Sequence, residues 1–306
     1  MKTIKHKSIQ RMKSRRNKTK NKSKFISKVN CSPKSKEDIN GYSCYTNKSL
    51  YKLKKLWNDK HMDSKIVSTI PIDIHSEINE KLSNVCNKES CWLNQENRFG
   101  KISDMKDSFA PLSPKEWSSN PNEWLSSIDI LKVMKQYEKA YKCFKFIGPS
   151  PIDFDTKVAS QECVLDDLCK FSVENEIKNK KTKIGIIFNT DPHNKPGEHW
   201  ISMFINIKKG EIFFFNSTGE GPSQEIITFV NRIKEQGLNL NPKIYFKFDD
   251  NRGFEHQYGN TECGMYSLYF IIHMLEDKIT QHYLKTHKLK DNYMNNFRKI
   301  YFNDSL

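Results

Sequence analysis

The chain has 306 residues, 36% of them hydrophobic and 28% charged, with a formal net charge of +15 and a mean hydropathy of −0.75. That length buries a sizeable core in one large or two small domains. The composition excludes a bilayer-spanning protein: no stretch approaches the roughly 18 apolar residues a span needs and no signal-peptide core is present, so a soluble protein is expected.

The charge is concentrated at one end. Residues 1–60 hold 19 Lys and Arg against Glu37, Asp38 and Asp59, a net +16, while the remainder sums to −1. Residues 1–35 therefore read as a self-repelling basic arm, disordered or transiently helical. Counterion release gives such an arm affinity for nucleic acid or anionic lipid; a solubilising or targeting tail accounts for the same composition. Next, residues 48–61 set Leu50, Leu53 and Leu56/Trp57 at helical spacing, and a second helix follows near 72–84. Residues 99–123, rich in Ser, Pro, Asn and Lys, read as a connection. The span 36–123 is expected to be a helical N-terminal region beside the main domain and not a separate stable domain.

The main domain, 124–306, starts at Trp124. Residues 127–139, with Ser127 or Asp129 as N-cap, place Ile130, Val133, Met134 and Tyr137 on one helical face. An apolar run at 144–147 ends at Gly148-Pro149, and 163–171 read as another helix. Beyond residue 182 the period becomes alternating, and 183–189, 200–207 and 211–215 are β-branched and aromatic strands. The last two are joined by a turn at 208–210. A turn at 217–222 precedes an amphipathic helix at 223–236 that buries Ile226, Ile227, Val230 and Ile233. A further strand at 243–248, a polar loop at 249–262 and a strongly apolar helix from Gly264 to about Glu276 follow. The layout is α+β, a mostly sequential antiparallel sheet packed on a late helix.

Of the eight cysteines, at 31, 44, 86, 91, 143, 163, 169 and 263, none has C-x-x-C spacing or the histidines of a zinc site. Reduced thiols are expected, and no metal or cofactor. Cys263 differs in setting. It opens a helix whose Met265, Leu268, Tyr269, Ile272 and Leu275 fix it in the core, and unpaired N–H groups at a first turn favour the thiolate, the reactive form. His199 begins one hairpin strand and Asn216 ends the other, so the turn at 208–210 brings them together. A side-chain amide oxygen can hold an imidazole in one orientation and tautomer. Gln257, six residues before Cys263, is either a solvated loop residue or an oxyanion donor beside the Cys263 N–H. His193 falls in a loop, His256 beside Gln257, and His273 on the buried helix; none has a strand-fixed partner of this kind.

The order His199-Trp200, Asn216, Gln257 and Cys263-Gly264 resembles the SUMO-specific (ubiquitin-like-protein-specific) cysteine protease family. The block 257–266, Q-Y-G-N-T-E-C-G-M-Y, is similar to that family's Gln-to-Cys segment, and W-L-S-S-x-D-I from Trp124 to its W-L-x-x-x-x-I motif. With Asn216 in place of Asp, and with F-K-F-I-G-P-S-P-I-D-F at 144–154, the chain looks like the polyprotein-processing proteases of large cytoplasmic DNA viruses of the African swine fever virus type. The resemblance implies a papain-like/adenain-like core, a mixed sheet packed on the helix that carries the nucleophile, with a helical N-terminal extension. It implies a thiol endopeptidase acting after Gly-Gly on structural polyproteins, in the virion and the host cytoplasm. Cys263 would be nucleophile, His199 base, Asn216 its orienter and Gln257 the oxyanion donor. Trp200 and Trp124 would line a substrate tunnel, although each could instead be plain core, Trp124 equally well. Deconjugation of host SUMO-like proteins is the alternative, and a basic nucleic-acid-binding virion protein is the alternative outside enzymology.

Overall fold

Side chains alternate between the two faces of a strand, and here both faces are apolar. Ile184, Ile186 and Phe188, then Ile201, Met203 and Ile205, then Ile212 and Phe214 enter one core with Phe154, Phe171 and Phe229. The intervening Ile187, Trp200, Phe204, Phe213 and Phe215 enter another with Cys263, Met265, Leu268 and Phe270. A sheet buried on both faces is thus written into the strands themselves. The computed structural model describes residues 29–34, 40–100, 102–158 and 161–304. The chain divides into two compact units, Met1–Pro111 and Leu112–Leu306.

In the first unit, α1 (Asn47–Lys60) is capped by the Thr46 side chain and α2 (Pro71–Leu82) opens on a proline, which sacrifices no helical hydrogen bond there. Their apolar faces, Leu50, Leu53, Trp57, Ile74 and Ile78, close a core with Tyr45, Trp92 and Phe99. The buried Glu89 carboxylate accepts from Ser43 Oγ at 2.6 Å and the Cys44 N–H at 2.7 Å, and lies 3.2 Å from His75 Nε2. The region therefore has a core of its own, where the sequence suggested a dependent extension. The expected boundary at Trp124 also shifts. Residues from Leu112 group with the second unit because Leu112 bridges Asn303 and Trp117 packs edge-on against Phe302.

The disordered arm expected at 1–35 lies outside the described residues except for 29–34. There the expectation fails: Val29 is buried, the Ala110 N–H donates to Asn30 O and Cys31 is bonded to Cys44. The expectation of reduced thiols fails with it. Cys31–Cys44, Cys86–Cys91 and Cys163–Cys169 are disulfides with Cα separations of 5.0, 5.6 and 6.3 Å, distances set by tertiary folding and invisible in residue spacing. Cys143 and Cys263 are free.

In the second unit α3 (Ser127–Ala140) begins at a capping box. Ser126, not Ser127 or Asp129, is the cap, and Asp129 is its reciprocal partner. A five-stranded sheet follows in chain order: β1 (Phe144–Pro151), β2 (Lys183–Asn189), β3 (Trp200–Asn206), β4 (Glu211–Phe215) and β5 (Lys247–Asp250). The inner pairs are antiparallel, whereas β1–β2 and β4–β5 are parallel. The sheet is mixed, as the family resemblance implies, and this corrects the mostly antiparallel layout read from the strand pattern alone. Parallel neighbours need crossovers, and residues 152–182 and helix α4 (Gln224–Leu238) supply them. β1 continues past Gly148-Pro149 through a register shift, β5 lies later than 243–248, and on α4 Phe229 takes the buried place expected for Ile227. Only Asp166–Cys169 of the 163–171 segment is helical, followed by Val173–Lys178 capped by Ser172.

Helix α5 (Cys263–Leu275) is buried from Cys263 to Ile272 and crosses the face that carries Gly185. A Cβ at Gly185 would lie 2.6 Å from Ile271 Cγ2 and 3.0 Å from the Phe144 ring. Gly185→Ala is expected to destabilise by about 1–3 kcal/mol, the usual range for overpacking a close-packed core, read as a lower denaturant midpoint at unchanged slope. A second test is pH. His256 is fully buried; its Nε2–H donates to Leu284 O at 2.9 Å and its Nδ1 accepts from the Leu289 N–H at 3.1 Å. Burial, helped by Lys288, pulls its pKa down to about 4 against the opposing Leu284 bond. Between pH 6.5 and 4 the unfolded chain then binds the extra proton. The stability His256 contributes is complete above about pH 6.5 and is lost as pH falls towards 4. Denaturation midpoints measured across that window are expected to fall less steeply in His256→Gln than in the wild type.

Candidate active site

The expected hairpin forms: Ser202 pairs with Phe215 across β3 and β4, which sets the residue before β3 beside the residue after β4. His199 Nε2 lies 2.8 Å from Asn216 Oδ1. That oxygen also receives the Thr218 backbone N–H at 3.1 Å and Thr218 Oγ1 at 2.9 Å. A backbone N–H is an unambiguous donor, so the atom facing His199 is the amide oxygen and the imidazole must donate through Nε2. In the neutral ring Nδ1 is then the nitrogen without a proton, free to act as acceptor.

The backbone of Asn216 is gripped in turn. Its N–H donates to Asn251 Oδ1 at 2.9 Å, and Asn251 Nδ2 donates to the Asn216 carbonyl at 2.8 Å. Asn251 is buried and extends the pairing of β4 with β5 by one side-chain rung. Sequence reasoning passed over it because D-D-N-R-G reads as a turn.

Gln257 is buried, which rules out the solvated loop residue. Ser217 Oγ donates to its Oε1 at 2.7 Å and its Nε2 donates to Gly259 O at 2.9 Å. The carbonyl of Gly259 fixes the amide orientation, and one Nε2 hydrogen has no partner among the described residues. The Ser217 carbonyl receives the N–H groups of His256 and Gln257. A single turn, Asn216–Ser217–Thr218, thus anchors both the imidazole orienter and the amide donor.

Cys263 is the first residue of α5, preceded by Glu262, and is 2% exposed. Burial pushes its thiol pKa up; backbone hydrogen bonding from Trp200, Gly264 and Cys263 itself pulls the other way, and Glu262 adds to the rise. Desolvation outweighs the N–H groups, so the helix start does not yield the thiolate that the sequence suggested. A base is required to generate it. Trp200 links the parts: Nε1 donates to Leu125 O at 3.0 Å, and a Cβ at Gly264 would sit 3.3 Å from Trp200 Cδ1 and 3.0 Å from Leu125 Cβ. Trp124, next to Leu125, is 37% exposed, which settles its alternative against core.

The two other candidate histidines, His193 and His273, are engaged elsewhere. His193 Nδ1 is 2.6 Å from Asp153 Oδ2, and the His273 Nδ1–H donates to Tyr269 O with the two rings stacked. The donor atoms of Cys31, Cys44 and Glu89 lie within 4.8 Å of one another. With the sulfurs joined to each other and the carboxylate already accepting three hydrogen bonds, they do not form a metal site. Among the described residues no helix is long and apolar enough to cross a membrane.

The profile of the Ulp1 protease family, C-terminal catalytic domain, matches residues 129–305. A thiol protease of Acanthamoeba polyphaga mimivirus is 28% identical over 229 residues, 74% of this chain and 72% of the relative. The cysteine protease of African swine fever virus is 24% identical over 256 residues, 78% and 91% of the two chains. The crystal structure of an African swine fever virus protease superposes with a TM-score of 0.65 at 21% identity, covering 90% of this chain and 96% of that one. The mixed sheet over its buried cysteine helix and the profile match agree: the chain belongs to the Ulp1 family of cysteine proteases.

Proposed function

We propose that this chain is a thiol endopeptidase that cleaves after Gly-Gly-type sites and processes viral structural polyproteins during particle maturation, in the virion and the host cytoplasm. The reading rests above all on the 2.8 Å contact of His199 Nε2 with Asn216 Oδ1, which leaves Nδ1 as the ring's acceptor at the strand that adjoins Cys263. His199 takes the thiol proton, the Cys263 sulfur attacks the peptide carbonyl, and an oxyanion forms near the Gln257 Nε2–H and the Cys263 N–H. The imidazolium returns its proton to the leaving amine. Water, deprotonated by His199, then hydrolyses the thioester.

Asn216 is neutral, so it stabilises the imidazolium less than a carboxylate would and acts chiefly by orientation. The preference for glycine follows from crowding. Where Trp200 lies against Gly264 and Leu125 and the exposed Trp124 adjoins Leu125, a substrate backbone would pass closely only where it carries no Cβ. The African swine fever virus relatives are named both cysteine protease and SUMO-1 cysteine protease, so the substrate test includes both kinds of target.

Purified wild type is expected to cut a Gly-Gly-Xaa peptide at pH 7–8 and to leave a SUMO precursor intact; Cys263→Ala is expected to cut neither. Cleavage of the SUMO precursor would turn the reading to deconjugation, and activity persisting in Cys263→Ala would end the assignment. In Asn216→Ala the imidazole loses a hydrogen bond of about 1.5–3 kcal/mol to a charged donor. A fall in kcat of roughly 10- to 100-fold is expected, with KM little changed in steady-state assays.

A further inference from the structure

Arg298 is a charge in an unexpected place. It lies on α6 (Asp291–Tyr301) and is 5% exposed, and its guanidinium is held by neutral acceptors. Nη1 donates to Glu123 O at 2.8 Å, Nη2 to Asn122 O at 3.3 Å and Thr261 O at 3.2 Å, and Nε to Asn295 Oδ1 at 3.0 Å. The cation also stacks over the Trp117 ring, 4.5 Å from its centroid. Taking a guanidinium out of water is costly, and the groups that hold it here lie on both sides of the site. Residues 122–123 run directly into Trp124, and Thr261 precedes Glu262 and Cys263. Asn295 continues the chain of contacts, donating through Nδ2 to Glu262 Oε1 at 3.1 Å.

We propose that Arg298 is a positioning residue of this site: it ties the Trp124 rim to the loop that delivers Cys263 and, through Asn295, offsets the Glu262 carboxylate beside the thiol. The inference rests on Cys263 being the nucleophile. The planar fork of arginine reaches three carbonyls and an amide at once, a geometry that a lysine ammonium cannot reproduce. The charged groups facing Arg298 are Glu262, Cys263 and Glu123, and all three favour its charged form against the effect of burial. Around Cys263 the other titratable groups are Glu262, which disfavours the thiolate, and His199, next to Trp200.

The test is the pH dependence of Cys263 alkylation by iodoacetamide, read by mass on the peptide that contains it, together with steady-state cleavage of the Gly-Gly-Xaa peptide. The full chain is compared with Arg298→Gln, Arg298→Lys and Arg298→Gln/Glu262→Gln. Arg298→Gln is expected to move the alkylation midpoint to higher pH and to raise KM several-fold. Arg298→Lys should restore the midpoint and leave KM raised, and adding Glu262→Gln to Arg298→Gln should return the midpoint towards wild type. A lowered melting temperature with wild-type midpoint and wild-type KM in Arg298→Gln overturns the proposal, since a merely structural role would do only that. If Arg298→Gln does not fold, Arg298→Lys decides alone: raised KM at an unchanged midpoint supports the proposal, and wild-type KM overturns it. Failure of the underlying reading has a separate signature, cleavage that persists in Cys263→Ala.

Discussion

Helix α5 is packed closely at two glycines: Gly185 on β2, where a Cβ would meet Ile271 at 2.6 Å, and its own Gly264, where a Cβ would meet Leu125 at 3.0 Å and Trp200 at 3.3 Å. Close packing of this kind is what fixes a helix axially as well as laterally. The first residue of the helix is Cys263, so the two glycines set where the sulfur lies relative to β3. If Cys263 is the nucleophile and His199 its base, as proposed, their mutual placement depends on this packing, because a misplacement of about 1 Å is costly to catalysis. Under the proposed reading the apolar faces of β2, β3 and β4 therefore bear on the chemistry, and Trp200 of β3 does so directly, because its backbone lies at the Cys263 sulfur.

Burial of the thiol has a cost that the rest of the site answers. Desolvation raises the Cys263 pKa, so the resting sulfur favours the protonated form, and under the proposed reading it depends on an imidazole held with the correct nitrogen free. The order is enforced from outside inward. The Thr218 N–H commits the Asn216 amide oxygen, the amide oxygen commits His199 Nε2, and Nδ1 is left as the acceptor. Asn251 holds the backbone of Asn216 at both its N–H and its carbonyl. The amide of Asn216, the main chain of Thr218 and the amide of Asn251 carry no charge, so the imidazole is oriented without placing a carboxylate against it.

How much of this could be read from the sequence depends on the distance over which each contact acts. Strands β2, β3 and β4 and the helix after Cys263 were legible because hydrophobic period and length agree there. His199 with Asn216 was legible because one short turn joins their strands. The parallel outer pairs were not, since a parallel neighbour is reached by a crossover and leaves no local mark. Asn251 binds a residue 35 positions away, Ser217 one 40 away, and Arg298 reaches Thr261 across 37. In each case the residue is a polar side chain in a polar stretch, and only folding shows that it is buried. The disulfides were missed for the same reason, because their pairing follows Cα separations that spacing does not encode. The arm's residues 29–34 went with them, since Cys31 is one of the anchors that order them.

Trp200 carries several of these constraints at once. Its backbone lies at the Cys263 sulfur, its carbonyl is 3.4 Å from Ser267 Oγ on α5, and its indole N–H holds Leu125, the residue beside the exposed Trp124. A change that moved the indole would move Leu125 and the rim with it, and would disturb the thiol through the same residue's main chain. Under the proposed reading the width of the substrate passage and the position of the nucleophile are then one variable. Selectivity for a backbone without side chains and competence for acyl transfer cannot be tuned separately at this residue. Arg298 couples the same two segments from another direction, since it holds residues 122–123 and Thr261 together.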